Sequence, residues 1–336
     1  MSKSASLTIV APRLFERAPA LPSDTSTESS LLAHLAGRGD VARRWHAAEN
    51  GEARLRPWQR GLLATLQLDE RHYPSASTSA LGQGLDAGID WFHAEPVHLA
   101  AGLNEVTLVP LTPDVELTRA ERDSMTPTLQ DHVAAEQWTL RPAGANAWLI
   151  GSSAVLEART VTPEFARRHE WNAVLPQGAA APRLRRLMTE LQMLLHEQPA
   201  NQARSARGLP AVNAVWLWGN GEARGVPEPA AFECMGDNDY LRGICALNRW
   251  QAPTAATSAP LALDRVRATG TLVCVLDDLD VERLERDWLA ACVAALKRGQ
   301  LDRLELVLDE WLLTIDRWRL RRFWRGPLPL QAWAAA

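Results

Sequence analysis

The sequence is poor in cysteine, tyrosine and phenylalanine, and it has no excess of positive charge. Its 336 residues include 4 cysteines whose spacing matches neither a disulfide framework nor a zinc site, so we predict reduced thiols in a core. Tryptophan, with 14 residues against 5 Phe and 2 Tyr, dominates the aromatics, which high-GC coding bias explains more simply than an aromatic ligand site. The formal net charge of -4 argues against an extended nucleic-acid surface.

Long apolar runs are also absent. No stretch approaches the roughly 20 apolar residues that a membrane-spanning helix requires. The first residues contain no apolar segment typical of a secretory leader. We therefore expect a cytoplasmic protein without membrane contact.

Familiar catalytic signatures are missing as well. There is no Walker loop and no Gly-x-Ser-x-Gly element, and the glycines within 82–84 lack the preceding strand of a dinucleotide fingerprint. His93 and Glu95 share one face of a predicted strand while His98 points to the other, which leaves no third ligand for a metal. The sequence therefore contains no signature of a P-loop, a serine-hydrolase nucleophile elbow or a dinucleotide-binding turn.

Apolar periodicity predicts helices and strands that alternate along the chain. Helices are expected from near 27 to the glycines at 37 and 39, and at 57–68, 119–136, 182–197 and 281–298; strands are expected at 7–11, 89–92, 97–100, 105–110, 138–140, 147–151, 211–219, 271–276 and 304–308. The stretch 73–88 is predicted to be a loop. This order predicts an α/β fold, a layered, mixed but mostly parallel sheet with flanking helices.

The domain organisation follows from composition. An Ala/Thr/Pro-rich linker at 251–260 separates an α/β region at 1–250 from a C-terminal βαβ part at 261–336. We expect the C-terminal part to belong to the same domain or to pack closely against it.

The most distinctive stretch runs from Leu191 to Gly221 and joins a helix end, a polar connection and a strand that delivers two glycines. Arginines three residues apart can fork onto one oxyanion in a helical or turn-like segment, asparagines add neutral donors, and glycines at a strand end allow close backbone approach. We call this set the predicted anion cradle: His196, Asn201, Arg204, Arg207, Asn213, Trp218, Gly219, Asn220 and Gly221. In the alternative interpretation, the asparagines cap turns, the arginines are solvated, the glycines turn the chain and the histidine caps its helix.

The same stretch resembles the archaeal-type cofactor-independent phosphoglycerate mutases of the alkaline phosphatase superfamily. In that family a His-Pro-x-Asn element, two arginines, a Gly-x-Pro-x-Asn element and a Trp-Gly-x-Gly strand end follow one another. The pattern is filled, with one extra residue between His and Pro, by His196, Pro199, Asn201, Arg204, Arg207, Gly208, Pro210, Asn213, Trp218, Gly219 and Gly221. The resemblance implies a reduced alkaline phosphatase-like fold and a phosphorylated small molecule as ligand.

Most of 7–330 is more similar to a smaller bacterial group, described either as RpfE-type regulatory proteins or as phosphoglycerate mutases. The matching segments are 90–91, 96–99, 190–196, 213–221 and 322–325. This second resemblance implies no established reaction.

The mutase resemblance also implies two divalent metals, such as Mn²⁺ or Zn²⁺, and a Ser or Thr nucleophile. The first strand ends in Ile9-Val-Ala-Pro-Arg13 without the family's aspartate, and the family's Gly-His element is absent. The later Gly-Asp-His element is replaced by Leu308-Asp-Glu-Trp311, which keeps the aspartate and loses the histidine. The remaining candidates for metal ligands are Asp277, Asp278, Asp280 and Asp309, and the candidates for relics of the nucleophile loop are Ser23, Asp24, Thr25 and Ser26. The two-metal site is therefore expected to be incomplete.

A basic and aromatic run lies near the C-terminus, from Trp318 to Arg325. We expect 311–325 to form a sheet-packing strand or a docking surface for a protein partner, in preference to a stacking surface for single-stranded nucleic acid.

These features favour a catalytically degenerate phosphoglycerate mutase-like protein that binds a ligand or partner and has a regulatory role, with no cofactor. An active metal-dependent mutase or another phosphoester-handling enzyme is the alternative, and a nucleic-acid accessory protein is the weaker one.

Overall fold

The computed structural model describes residues 4–15, 30–45, 54–102, 106–227 and 229–333. Within those ranges no helix is both long enough and apolar enough to cross a membrane. The candidate nucleophile-loop residues Ser23, Asp24, Thr25 and Ser26 lie outside them.

Strands and helices alternate over most of the described chain. The strands are β1 (Ser6–Ala11), β2 (Asp40–Arg43), β3 (Asp90–Ala101), β4 (Val106–Pro110), β5 (Trp138–Ala143), β6 (Ala147–Ser152), β7 (Ala214–Trp218), β8 (Glu233–Met235), β9 (Thr271–Val275), β10 (Arg303–Leu308) and β11 (Trp311–Asp316). The helices are α1 (Leu31–Arg38), α2 (Pro57–Thr65), α3 (Ser75–Gly82), α4 (Arg119–Ala135), α5 (Pro163–Ala166), α6 (Trp171–Val174), α7 (Ala181–His196), α8 (Pro199–Ala206), α9 (Asp239–Leu247), α10 (Ala259–Thr269), α11 (Val281–Arg283), α12 (Ala290–Lys297) and α13 (Leu330–Trp333). A π-helical segment, Leu284–Leu289, joins α11 to α12.

The chain forms two compact units. Unit 1 comprises 1–46, 57–69 and 226–336, and unit 2 comprises 47–56 and 70–225. The predicted linker at 251–260 lies within unit 1, where the backbone nitrogen of Gly236 donates to the carbonyl of Thr254 at 2.8 Å.

Unit 1 contains a six-stranded sheet in the order β2-β11-β10-β1-β9-β8. The four strands β10, β1, β9 and β8 are parallel, and β11 and β2 pair antiparallel at one edge. Alternation along β1 sends Leu7 and Ile9 to a face covered by α1, α10 and α12. On the other face α2 packs against β10, where a Cβ on Gly61 would lie 2.5 Å from Val307. The predicted α/β fold with a mostly parallel sheet is confirmed in this unit.

Unit 2 contains a second sheet, in the order β4-β3-β6-β5 with β7 paired to β3. All of these described pairs are antiparallel. The apolar stripe of α7, which includes Leu184, Leu187, Leu191 and Leu195, packs against β7 and α4 in one core.

Two segments of unit 2 differ from the prediction. The stretch 73–88 contains α3 instead of being a loop throughout, and the two strands predicted within 89–100 are a single strand, β3. Tertiary burial rather than an amphipathic stripe stabilises α3, because Ser75, Ala76, Thr78 and Ala80 are all buried.

All four cysteines are free and buried in unit 1: Cys234, Cys245, Cys274 and Cys292. Burial raises the pKa of the Cys292 thiol to about 12, so this thiol is protonated at neutral pH.

Candidate functional site

The predicted anion cradle lies in unit 2 along the end of α7, the helix α8 and the strand β7. The polar connection between α7 and β7 contains α8, which begins at Pro199, a residue suited to a first helical turn. His196 is the last residue of α7 and is exposed. The other cradle residues are held by contacts within the unit, which we take in turn.

Arg204 is completely buried and donates its hydrogen bonds to the protein's own backbone. Its Nε donates to the carbonyl of Pro210 at 2.9 Å and its Nη1 to that of Glu116 at 3.3 Å. Its Nη2 donates to the carbonyl of Val115. The side chain has a relative exposure of 0%, and its hydrogen bonds join the loop before α4 to the loop between α8 and β7.

The two arginines do fork onto one anion, as their spacing predicts, and that anion is the carboxylate of Glu121. Nη1 of Arg204 lies 3.2 Å from Oε2 of Glu121, and Nη2 of Arg207 pairs with Oε1. Partial burial opposes ionisation of Glu121, but hydrogen bonds from the backbone of Thr118 and the side chain of Arg207 leave its pKa below the usual range. The protein itself supplies the oxyanion.

The asparagines Asn201 and Asn213 bond to the backbone. Nδ2 of Asn201 donates to the carbonyls of Leu195 and Val212, at 2.7 and 2.8 Å, and its Oδ1 accepts from the nitrogen of Val212. The amide of Asn213 bonds to both backbone groups of Leu99, at 2.7 and 2.9 Å. The side chain of Asn201 therefore joins the end of α7 to the segment before β7, and that of Asn213 bonds to β3 just beyond the residues that pair with β7.

The residues that follow β7 are also hydrogen-bonded to other groups of unit 2. Asn220 accepts from Oγ1 of Thr160 at 2.9 Å and donates to the carbonyl of Ala158 at 3.1 Å. The backbone nitrogen of Gly221 donates to Oδ1 of Asp90 at 3.3 Å. Gly219 has φ +80°, a left-handed conformation that favours glycine.

A second polar cluster surrounds Trp218, and sequence reasoning did not identify it. Nε1 of Trp218 donates to Oε2 of Glu95 at 3.0 Å, and its ring stacks on His93 with centroids 4.5 Å apart. The guanidinium of Arg56 lies 5.0 Å from the Trp218 ring and pairs with Glu95 at 2.7 Å and Glu164 at 3.0 Å. The one sequence feature that pointed to this cluster is that His93 and Glu95 lie on the same face of a predicted strand.

Ser75 and His93 form a hydroxyl–imidazole pair in this cluster, 2.8 Å from Oγ to Nε2. Burial, assisted by the charge of Arg56, lowers the pKa of His93 to about 3, so the ring is neutral at physiological pH. A serine next to a neutral histidine is the arrangement of a base-activated nucleophile. However, Ser75 has a relative exposure of 0%, which keeps a substrate away from its oxygen.

The predicted metal ligands lie in unit 1, at the carboxyl edge of its parallel strands. Because β9, β1 and β10 are adjacent and parallel, Asp277, Arg13 and Asp309 follow three neighbouring strand ends. Arg13, Asp278 and Asp309 have φ values of 56°, 60° and 51°. Left-handed backbone at non-glycine residues is strained, and such strain concentrates at functional sites.

The carboxylates at this edge bond to neighbouring groups of the protein. Both oxygens of Asp277 accept from Nδ2 of Asn238, at 3.0 and 2.8 Å. Oδ1 of Asp309 accepts from the backbone nitrogen of Arg13 at 2.8 Å. Asp280 caps α11, since its Oδ1 accepts from the nitrogen of Arg283 at 2.7 Å.

This donor set does not fit a two-metal site. Across the residues that the structure describes, no group of three or more His, Cys, Asp or Glu side chains is arranged to hold a metal ion. A residue with a permanent positive charge, Arg13, follows the end of β1, between the two strands that lead into Asp277 and Asp309. No step of a reaction is therefore derived through a metal.

Known proteins resemble the chain in sequence over a short segment, and in structure at low sequence identity and low TM-score. No family model matches it. A 58-residue segment, 17% of this chain and 14% of the relative, is 40% identical to a probable 2,3-bisphosphoglycerate-independent phosphoglycerate mutase of Geobacter sulfurreducens. A 53-residue segment, 16% of this chain and 14% of the relative, is 42% identical to the 2,3-bisphosphoglycerate-independent phosphoglycerate mutase of Methanothrix thermoacetophila.

Two solved structures also resemble the chain. One is a cofactor-independent phosphoglycerate mutase of Thermoplasma acidophilum, with 14% identity, a TM-score of 0.44 and coverage of 99% of this chain and 95% of that one. The other is a protein of Pyrococcus horikoshii, with 13% identity, a TM-score of 0.47 and coverage of 94% and 88%. Both curated relatives carry the name of the enzyme that the stretch from Leu191 to Gly221 resembles, and most of each relative lies outside the matched segment.

Proposed function

We propose that this chain is a non-catalytic relative of the cofactor-independent phosphoglycerate mutases, and that it acts by binding, as a regulatory protein of the RpfE type. Local sequence similarity to two such mutases supports the kinship. An active mutase or another metal-dependent phosphoester enzyme would require a set of metal ligands that this chain lacks among its described residues. A cytoplasmic location is part of the proposal.

One observation carries the proposal: Arg13 follows the end of β1, the strand that lies between β9 and β10 in the parallel part of the sheet. Strand β1 pairs with β9 on one side and with β10 on the other, so Arg13 stands between the strand ends of Asp277 and Asp309. Two divalent cations a few ångströms apart need anionic or neutral donors around them, because a fixed positive charge repels both. A cationic residue at this position opposes metal binding.

The bonding of the predicted anion cradle adds support. Arg204 and Arg207 already share the carboxylate of Glu121, and Asn201 and Asn213 are bonded to backbone groups. A phosphate group would have to displace Glu121 from both guanidinium groups. In this proposal the residues of the predicted anion cradle stabilise the fold of unit 2. Binding of a phosphorylated small molecule stays a prediction to be tested.

Metal retention tests the proposal directly. The protein is equilibrated with excess Mn²⁺ or Zn²⁺, desalted, and its metal content is measured by plasma mass spectrometry. We expect the wild-type protein to retain far less than one metal ion per chain. The variant Arg13→Asp should retain more metal than the control Arg298→Asp, which makes the same charge change at an exposed residue of unit 1. Stoichiometric metal in the wild type would overturn the proposal.

A thermal-shift measurement with 3-phosphoglycerate tests the cradle separately. We expect no change in the melting temperature of the wild type, because Glu121 already occupies both arginines. A stabilisation that disappears in Arg207→Gln would instead assign a phosphate-binding role to the cradle.

A further inference from the structure

The segment 317–325 of unit 1 exposes aromatic side chains to an unusual degree. Trp318, Phe323 and Trp324 have relative exposures of 60%, 79% and 69%, and they are the exposed large aromatic residues of the described chain. Phe323 and Trp324 contact each other edge to face, with centroids 5.4 Å apart. Clustered exposed aromatics of this kind mark interaction sites more often than ordinary surface. We call residues 317–325 the aromatic–arginine patch.

The patch also contains arginines whose nitrogens lie near no carboxylate of the described residues. Arg319 pairs with Asp40 and Asp316, and Arg322 pairs with Asp40. By contrast, Arg317, Arg321 and Arg325 are exposed, and no carboxylate of the described residues lies within 4.0 Å of their nitrogens. The patch therefore presents uncompensated positive charge next to apolar rings.

The backbone of the patch is held in place by the protein. Oδ1 of Asp316 accepts from the backbone nitrogens of Trp318 and Arg319, each at 2.8 Å. Leu320, with a relative exposure of 9%, belongs to the core of unit 1. A surface ordered before binding loses less conformational entropy when a partner docks.

We propose that the aromatic–arginine patch docks an acidic protein segment that carries apolar side chains between its carboxylates. Arg317, Arg321 and Arg325 would bind carboxylates, and Phe323 and Trp324 would receive the apolar side chains. Tryptophan and arginine are the residues most enriched among those that dominate protein interfaces. The inference goes beyond the loss of catalysis, because an active enzyme could present the same surface.

The geometry favours protein over single-stranded nucleic acid as the partner. The guanidinium groups of Arg317 and Arg321 lie over the Trp318 ring, 4.8 and 4.9 Å from its centroid, so the stacking surface that a base needs is already covered. Phe323 and Trp324 are inclined by 80° and form no parallel platform. An arginine stacked on a ring still presents its N–H groups outward to a carboxylate.

The test is a fluorescence-anisotropy titration of the intact chain with a labelled peptide of alternating glutamate and leucine. A peptide with glutamine in place of glutamate is the matched probe, and oligo(dT) and vesicles of phosphatidylcholine with phosphatidylglycerol are the competing ligands. The variants are Arg317→Gln/Arg321→Gln and Phe323→Ala/Trp324→Ala. Arg298→Gln, an exposed arginine of the same unit outside the patch, is the control.

We expect the acidic peptide to bind the wild type and Arg298→Gln equally, and each double variant about tenfold more weakly. The glutamine peptide should bind as weakly as the acidic peptide binds the arginine variant. The proposal would be overturned if the acidic peptide bound the wild type and the double variants equally, or if it bound none of them. It would also be overturned if oligo(dT) or the vesicles bound the patch more tightly than the acidic peptide does. Circular dichroism of the variants checks that their fold is intact, and the outcome is independent of metal retention and turnover.

Discussion

Arg204 and Arg207 illustrate how far a sequence motif determines chemistry at the scale of single residues. Their spacing predicted convergence on one anion, and both pair with Glu121. Nothing in the local sequence indicates this partner, because Glu121 lies 83 residues before Arg204 in the chain. Long-range packing decides whether such an arginine pair binds a ligand or a part of its own fold.

The buried arginine should matter far more for stability than its exposed neighbour. Arg204→Ala removes the donor to three buried backbone carbonyls and one of the two guanidinium partners of Glu121, so we expect a loss of about 3 kcal/mol in the free energy of unfolding. Arg207, whose side chain is 52% exposed, should contribute about 0.5 kcal/mol. Urea unfolding of both variants, followed by circular dichroism, measures the difference. Similar losses in the two variants would contradict this account of Arg204.

His93 should make unit 2 sensitive to acid. Its pKa is lowered from 6.5 to about 3 in the folded state, so the folded ring stays neutral over a range in which the unfolded ring takes up a proton. The contribution of His93 to stability is therefore complete above about pH 6.5 and is lost as the pH falls toward 3, by at most about 1.4 kcal/mol per pH unit.

Nitrogen NMR of the imidazole rings tests the titration of His93. We expect its ring to keep the chemical shifts of a neutral histidine at pH 5, with assignment by comparison with His93→Gln. A midpoint near 6.5 would show that burial and Arg56 do not control this ring.

At the scale of helices and strands, apolar periodicity predicted most of the strands and the two longest helices, while α3, α8, α9 and α10 were not predicted. The long helices α4 and α7 and the parallel strands β9 and β10 occur within about two residues of their predicted bounds. Their patterns are strong because each element buries one continuous stripe or face. Periodicity identifies such elements without knowledge of their partners.

The elements that were missed depend on tertiary context. Two strands were predicted at 89–92 and 97–100, yet both lie in β3, where Pro96 stands between the residues paired with β6 and those paired with β4. A proline, which has no backbone donor, is tolerated at such a gap. α3 consists largely of small residues without an apolar stripe, so its helical state depends on the strand it packs against. Neither fact can be obtained from a local sequence pattern.

The close approach of α3 to the end of β7 predicts a difference between two glycines. A Cβ on Gly219 would lie 3.0 Å from Cβ of Ser75 and 3.1 Å from Cδ2 of His93, whereas a Cβ on Gly208 would meet nothing within 4 Å. Both glycines have positive φ. Gly208→Ala should cost about 1 kcal/mol from backbone strain alone, and Gly219→Ala about 1–3 kcal/mol more from overpacking.

Thermal unfolding of the two alanine variants, monitored by circular dichroism, compares these costs. An equal effect of both substitutions would show that α3 does not pack closely on the end of β7.

At the scale of the whole molecule, the carboxyl ends of the parallel strands lie in unit 1, and the stretch from Leu191 to Gly221 lies in unit 2. Arg13, Asp278 and Asp309 hold left-handed backbone in unit 1, and α7, α8 and β7 lie in unit 2. The sequence indicated that the metal ligands were incomplete, since the histidines and the first aspartate are absent. It did not indicate that the remaining carboxylates bond to Asn238, Arg13 and Arg283.

Turnover of 3-phosphoglycerate tests the central claim, the absence of mutase catalysis, most directly. Phosphorus NMR follows 3-phosphoglycerate mixed with the protein and Mn²⁺, with the Thermoplasma acidophilum enzyme as positive control. We predict that the 3-phosphoglycerate resonance stays unchanged with this chain while the control reaches its equilibrium mixture. The appearance of 2-phosphoglycerate at a rate proportional to the concentration of this chain would contradict the account.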